Sequence, residues 1–441
     1  MHPFYCTQSM FIHENKSCIC GTQYSYKSNI KTCQLSKSFQ LSTVPDVFNI
    51  EENLNVSIES DTWSDYNVIQ FCQKYRVMYI MRGLPGSGKS TIAKQISKLF
   101  HSNDVVICSA DDFRFNKDGV YVFDASKLYE THKKCQNKAQ KYCMAGKTII
   151  IDNTNLSKKD FEPYLSMAEQ HHYLTLFVQT QETDTDVLYS RNVHNVPKQK
   201  IDAMKSNMER VVPFCFCWAI PKDEADRLKN FIEKNLFAWH HPLFILFLQQ
   251  VGVNRFNLYD IFGNSCLFPI HVLSYYSTDK QNILKYGSSD SVRRHLGRVS
   301  QLNVIGYCIT KNSLFARVKL TDKQKKVFCD IDCKGNTIQV DSRDIKYNKT
   351  IDTFKEYISS DIIVPDFGIG CTAYISLGIK NGMLPEQSRN DLMFLLDAEL
   401  NSMPHLELKL NSGLLRCYKR DLWVVYLNNL NCFDTMFIAI V

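Results

Sequence analysis

Proline (12) and glycine (17) are sparse in this chain of 441 residues, which excludes a collagen-like repeat and a Pro/Gly-rich disordered chain. Long apolar runs are missing too: no stretch has the roughly 20 apolar residues that a membrane-spanning helix needs. The start, MHPFYCTQSM, has neither the basic patch nor the apolar run of a secretory signal. Charge of one sign is not in large excess, because 52 Lys and Arg face 45 Asp and Glu and leave a formal +7. That balance permits a phosphate-rich partner such as RNA without indicating one. The 17 cysteines follow no regular spacing, which reads as reduced thiols of an intracellular, cytoplasmic protein. Cys18 and Cys20, like Cys215 and Cys217, are one residue apart with no second pair nearby, a poor zinc signature.

What is present is an ordinary folded composition, 44% hydrophobic and 22% charged. The length, about three times the commonest domain size, predicts two domains and an appendage. Residues 1–68 are rich in Ser, Asn, Thr and Lys without helical periodicity. They read as a largely disordered leader that could contain a docking segment for a protein partner. From 69 to 245, short β-branched runs (RVMYIM, VVICSA, KTIIID, YLTLFVQ) alternate with helical patterns. This predicts an α/β domain with a mostly parallel sheet. From 246 to 441, strand-like pieces (HVLSYY, LNVIGYCIT, LFARVKL, AYISLGI, LLRCYKR, LWVVYL) and the helical NDLMFLLDAELNSM predict an α+β domain. ADRLKNFIEKNLFAWHH reads as a bridging helix and the final MFIAIV as a closing strand.

Chemistry concentrates in RGLPGSGKST. Gly83, Gly88, Lys89 and Ser90 satisfy G-x-x-x-x-G-K-[ST], and Gly86 relieves crowding inside the loop. Backbone N–H groups of such a loop wrap phosphates, Lys89 neutralises them, and Ser90 is placed to ligate Mg²⁺. Thr91 reads as capping or packing the helix start. The expected cofactors are ATP, with GTP as the alternative, and Mg²⁺.

Asp111 lies just beyond a strand, where a carboxylate could accept a hydroxyl proton. Arg114, three residues on, could bind an acceptor phosphate. The spacing equally allows Asp111 or Asp112 to be an N-cap with Arg114 solvated. Asp152 after KTIII reads as a second carboxylate near Mg²⁺ or as a turn former. Arg191 reads as a phosphate clamp on a mobile cover or as a surface residue.

RGLPGSGKST, CSADDFR, IIIDNTN and RNVHNVPKQKIDAMKSNME together resemble the P-loop kinases related to polynucleotide 5'-hydroxyl kinases, including the NEDD4-binding-protein-2-like group. Residues 69–441 more broadly resemble the 2',3'-cyclic-nucleotide 3'-phosphodiesterase (CNPase) family, which joins such a domain to a two-histidine phosphoesterase domain. PFCFCWAIPKDEADRLKNFIEKN and the order of the C-terminal strands carry this second resemblance. It implies that Asp111 activates the acceptor, Arg114 holds its phosphate, Arg191 is a lid arginine, and RNA or other polynucleotide ends are the partners.

The second domain departs from its family, whose two H-x-[ST] strands supply base, acid and phosphate-binding hydroxyls. His271 falls at the first histidine, with Leu273 at the hydroxyl position and Ser274 next to it; a shifted alignment puts Tyr275 and Ser277 there. Tyr374 and Ser376 fall at the second motif. A tyrosine near its ordinary pKa is poorly tuned for shuttling protons at neutral pH. Cyclic phosphodiesterase activity is therefore expected to be weakened or lost, with the groove retained for RNA ends. By their residue types alone, His271, Tyr275, Tyr276 and Tyr374 could equally be packed strand residues. The myelin member's prenylation box is absent at FIAIV, so no prenyl anchor is expected.

Overall fold

The computed structural model describes residues 57–237, 269–310, 312–329, 362–380, 387–401, 403, 406–410, 412–419 and 422–441. The expectations for a docking leader and for Cys18 and Cys20 fall in 1–56, outside the described residues.

Four strands form the first sheet: β1 (Val77–Arg82), β2 (Val105–Cys108), β3 (Thr148–Ile151) and β4 (Leu174–Gln179). Their spatial order is β2-β3-β1-β4 and every pairing is parallel. The central strands VMYIMR and TIII are buried along their whole length, as strands covered on both faces must be. Helix Leu128–Met144 covers one face through Thr131, Cys135, Ala139 and Cys143, four residues apart and all buried. That spacing is one helical stripe, and its small side chains allow close approach to the sheet.

The second sheet is antiparallel, and its eight strands are β5 (Cys215–Ala219), β6 (His271–Tyr276), β7 (Val299–Thr310), β8 (Ser313–Lys319), β9 (Tyr374–Ile379), β10 (Leu406–Leu410), β11 (Gly413–Lys419) and β12 (Leu422–Ile440). They run in the order β10-β11-β12-β5-β6-β9-β8-β7, and β12 also pairs with β7. That last pairing closes β12, β5, β6, β9, β8 and β7 into an antiparallel barrel, with β11 and β10 extending from β12. The final MFIAIV is the end of the long β12, where Met436–Ile440 pairs with β5.

Two expected boundaries shift. Helix Tyr66–Lys74 crosses the one drawn at 68, capped by Asp65 and burying Val68, Phe71 and Cys72. Asp61 and Asp65 both pair with Arg298, so residues from 57 onward belong to the folded body. At the other boundary, Cys215–Ala219 lies in the barrel between β12 and β6, ahead of the break drawn at 246. Only long-range pairing decides which sheet an apolar run of this kind joins. Tyr75 ties the halves together: its hydroxyl donates to Glu224 (2.8 Å) and to Asp434 (3.0 Å). Among the described residues no helix is long and apolar enough to cross a membrane.

Candidate functional site

The loop after β1 leads into helix Lys89–Ser97, with Gly88 as its N-cap in the left-handed region (φ 90°) and no side-chain cap. Gly86 is also left-handed (φ 77°), and a Cβ there would lie 2.1 Å from the Leu188 carbonyl oxygen. Backbone shape and close approach both demand glycine at Gly86. Thr91 is exposed and caps nothing, contrary to the expected capping or packing role, because the N-cap falls three residues earlier at Gly88.

Lys89 is 8% exposed and donates to the Leu84 carbonyl oxygen at 2.7 Å. Burial lowers its pKa to about 8, opposed by the nearby carboxylates of Asp152 and Asp111. Asp152, at the end of β3, is pushed up by burial and held down by a Ser90 hydrogen bond and by Lys89. Lys89, Ser90, Asp152 and Asp111 therefore form one electrostatic unit. A buried ammonium, a glycine loop at a helix N-terminus and a hydroxyl beside a carboxylate are groups whose chemistry fits a nucleoside triphosphate with Mg²⁺.

Between about pH 8 and 10.5 the unfolded chain keeps the Lys89 proton that the fold has released, so this group's contribution to stability rises with pH there. Nucleotide binding should run the other way. Affinity for ADP is expected to fall as pH rises through about 8, as the cation that meets the phosphates is lost. Calorimetric titrations between about pH 7 and 9.5 should show this fall in the wild type. The profile should be flatter in Lys89→Arg, whose guanidinium stays protonated.

Asp111 opens a single 3₁₀ turn, Asp111–Phe113, that starts after Ala110 without a side-chain cap. The alternative N-cap reading therefore does not hold for Asp111, and Asp112 pairs with Lys138 at 2.8 Å. One Asp111 oxygen instead accepts from Arg114 Nη1 (2.7 Å) and from the Tyr121 hydroxyl (3.1 Å). The other lies 3.4 Å from His194 Nε2, and the rings of His194 and Tyr121 stack at 4.2 Å.

Tyr121 and His194 were not singled out from the sequence. Tyr121 lies on a small hairpin joined by a Phe115–Tyr121 bridge and turned at Asn116–Gly119. The signal for it was legible: Asp118-Gly119 between aromatics is a hairpin turn. The hairpin's Phe115 and Phe123 are 53% and 59% exposed, beside Arg114, which stacks over Phe123.

His194 belongs to the cover. Helix Thr185–Arg191, capped by Asp184, buries Leu188 against Leu84, Leu156 and Ile201. The cover is thus fastened to the phosphate loop through Leu84 and through the Gly86 contact. Arg191 is the last residue of that helix, exposed and 3.5 Å from Glu182.

The barrel brings His271 to the start of β6, where its Nδ1 lies 2.7 Å from the Pro269 carbonyl oxygen. Burial lowers its pKa. Leu273 and Tyr374 line one shallow groove with Phe328, Cys329, Thr372 and Arg389. Ser376 contacts Ser388 at 3.2 Å. Tyr275, the residue of the shifted alignment, stacks on Tyr286 at 4.2 Å.

A glycine loop entering a helix, two carboxylates at the mouth of a parallel sheet and a helical cover define a kinase-like P-loop domain. A family profile described as an AAA domain matches residues 78–211. Over 155 residues the chain is 37% identical to human NEDD4-binding protein 2, covering 33% of this chain and 8% of that protein. Over 346 residues it is 22% identical to the rat 2',3'-cyclic-nucleotide 3'-phosphodiesterase, covering 75% of this chain and 74% of the rat protein. The mouse counterpart is 22% identical over 60% of this chain and 64% of its own length. A solved structure described as the Pnkp1/Rnl/Hen1 RNA repair complex aligns at 20% identity and a TM-score of 0.27, over 30% of this chain and 44% of that one. The chain is thus similar to the CNPases over most of its length and carries a kinase-like domain.

Proposed function

We propose that the P-loop domain transfers the terminal phosphoryl group of ATP to a 5'-hydroxyl of RNA or an RNA-like polynucleotide. The observation that carries this reading is the placement of Asp111, held by Arg114 and Tyr121, at the end of the sheet that also carries Asp152 and the glycine loop with buried Lys89. It puts a candidate base, a candidate metal-bearing carboxylate and the phosphate-neutralising lysine in one field.

In this reading Asp111 takes the acceptor's proton, and Arg114 with Tyr121 keeps the carboxylate oriented. Lys89 leaves the Leu84 carbonyl to meet the phosphates. Arg191 swings from Glu182 to stabilise charge on the transferred group. Ser90 and Asp152 would hold Mg²⁺, which supplies charge neutralisation between the phosphates. Phe115 and Phe123 offer faces on which acceptor bases can stack.

The test offers 5'-hydroxyl RNA and 5'-phosphorylated RNA to the protein with Mg²⁺ and γ-labelled ATP. Label should enter only the 5'-hydroxyl strand, and Asp111→Asn should lower the rate by about 10²-fold or more. Unchanged turnover in Asp111→Asn would remove the base assignment, and no transfer to any end despite nucleotide and RNA binding would favour an RNA-end-binding scaffold.

Similarity to the phosphodiesterases over 75% of the chain supports a second reading, in which the barrel has the two-histidine phosphoesterase architecture and hydrolyses 2',3'-cyclic phosphates to 2'-phosphates. His271, Tyr374 and Ser376 would act there, with apolar Leu273 replacing a phosphate-binding hydroxyl. We infer that such hydrolysis is weak or lost. If residual hydrolysis is detected, Tyr374→Phe should abolish it, and normal turnover in that variant would end the tyrosine's role.

A further inference from the structure

The geometry points to a thiophilic metal site formed by Cys215, Cys217 and His271, suited to Zn²⁺, on the barrel and away from the nucleotide site. The Sγ atoms of the two cysteines and a ring nitrogen of His271 all lie within 4.8 Å of one another.

Local spacing could not reveal this, because the third ligand comes from a different strand. In β5 the sequence CFCWA places two thiols two residues apart, a separation that ordinarily puts side chains on one face. A bulge falls between Phe216 and Cys217, so that Cys215 pairs with Tyr276 while Cys217 pairs with Leu273. The antiparallel register then sets His271 opposite Ala219, two residues from Cys217 along β5.

Three further observations favour a metal. First, the His271 ring has a defined tautomer. A carbonyl oxygen 2.7 Å from Nδ1 can only accept, so Nδ1 carries the hydrogen and Nε2 keeps its lone pair. Nε2 is thus the nitrogen left to ligate, and a backbone carbonyl on the other nitrogen is the usual support of a metal-bound imidazole.

Second, the donors are soft. Two sulfurs and an imidazole with no carboxylate in the group select Zn²⁺ over Mg²⁺ or Ca²⁺. Third, the size is right. Zn–S of about 2.3 Å and Zn–N of about 2.0 Å in a tetrahedron put ligand atoms roughly 3.5–3.8 Å apart, within reach of small side-chain rotations. Cys215 and Cys217 are 1% and 0% exposed, so the ion would be shielded on the protein side. Each thiol gives up its proton on ligation, and a fourth position is left for water or an exogenous ligand.

Such a site would clamp β5 to β6 and engage the histidine that the second reading needs as an acid or base. Metal ligation and histidine proton transfer therefore exclude each other at His271.

The test uses the full chain, stripped of metal under reducing conditions and titrated with Co²⁺. One equivalent should produce thiolate-to-cobalt charge-transfer and tetrahedral visible bands, and Zn²⁺ should displace them. The Cys215→Ser/Cys217→Ser double variant should lose the bands, and His271→Gln should weaken binding at least about 10-fold. Unchanged ADP binding reports that each variant is folded. Should the double variant fail to fold, His271→Gln and the zinc content of the purified wild type decide the question. No thiolate band, or the same band in a folded variant, would overturn the proposal, because the chain has 17 cysteines and any others could supply it.

Discussion

Lys89→Met is expected to lower phosphoryl transfer to a 5'-hydroxyl end by about 10³-fold, the scale at which losing one preformed charge contact to a transferring phosphoryl group is felt. Thermal stability should hardly fall. Lys89 is 8% exposed and its ammonium is bound to one backbone carbonyl at 2.7 Å. Burial already works against its charge, as its lowered pKa records. Methionine keeps the length and apolar stem of the side chain while removing a charge that the fold carries at a cost. Asp152 loses its partner, but burial already favours its neutral form. The measurement is single-turnover transfer at saturating ATP and RNA, beside a melting curve. A rate within tenfold of wild type would remove Lys89 from the chemistry. A collapse of the melting curve would show a structural lysine instead. The same variant should lose the fall in ADP affinity expected around pH 8, since Lys89 is the titrating group.

How much of this site the sequence discloses depends on how local each part is. The phosphate loop is contiguous, and its left-handed glycines and closely packed cover are written in the residue types at Gly86 and Gly88. Asp152 is nearly as legible, because a carboxylate ending a β-branched run sits at the mouth of a parallel sheet. Asp111 is half legible: its position is plain, but its partners Tyr121 and His194 arrive from a hairpin and from the cover.

The barrel is harder to read, since β5 joins β6 across a long connection and β12 closes on β7. Pairings of that range leave no periodic trace at either end, and so nothing local in Cys215–Ala219 tells which sheet it joins. For the same reason the proximity of His271 to two cysteines is invisible until register is known. The exposed aromatic hairpin was passed over although its Asp-Gly turn is a local signal.

Arg317→Met should destabilise the protein by about 3–5 kcal/mol, the cost of breaking a buried ion pair and leaving one charge behind. Arg317 on β8 and Glu399 in helix Gln387–Leu400 are 3% and 1% exposed and meet at 2.5 Å. The Tyr426 hydroxyl donates to the same Glu399 oxygen and is itself 2.8 Å from the Tyr418 hydroxyl. Glu399 Oε2 is buried without a hydrogen-bond partner among the described residues, whose contacts to the carboxylate run through Oε1. Burial opposes the Arg317 charge, but the charge and hydrogen bond of Glu399 together with Tyr426 raise the pKa on balance. With Met at 317, Tyr426 alone faces a buried carboxylate, which must take up a proton or draw in water. The double variant Arg317→Met/Glu399→Leu removes both charges and should recover most of the loss, since an apolar pair of similar volume needs no desolvation. Urea unfolding of the four proteins in this cycle measures the coupling. Because the same helix carries Arg389 to the Tyr374 groove and Ser388 to Ser376, its loosening should blunt any activity of the barrel while ADP binding at the phosphate loop persists. A coupling energy near zero would mean that the pair holds neither the helix nor the groove.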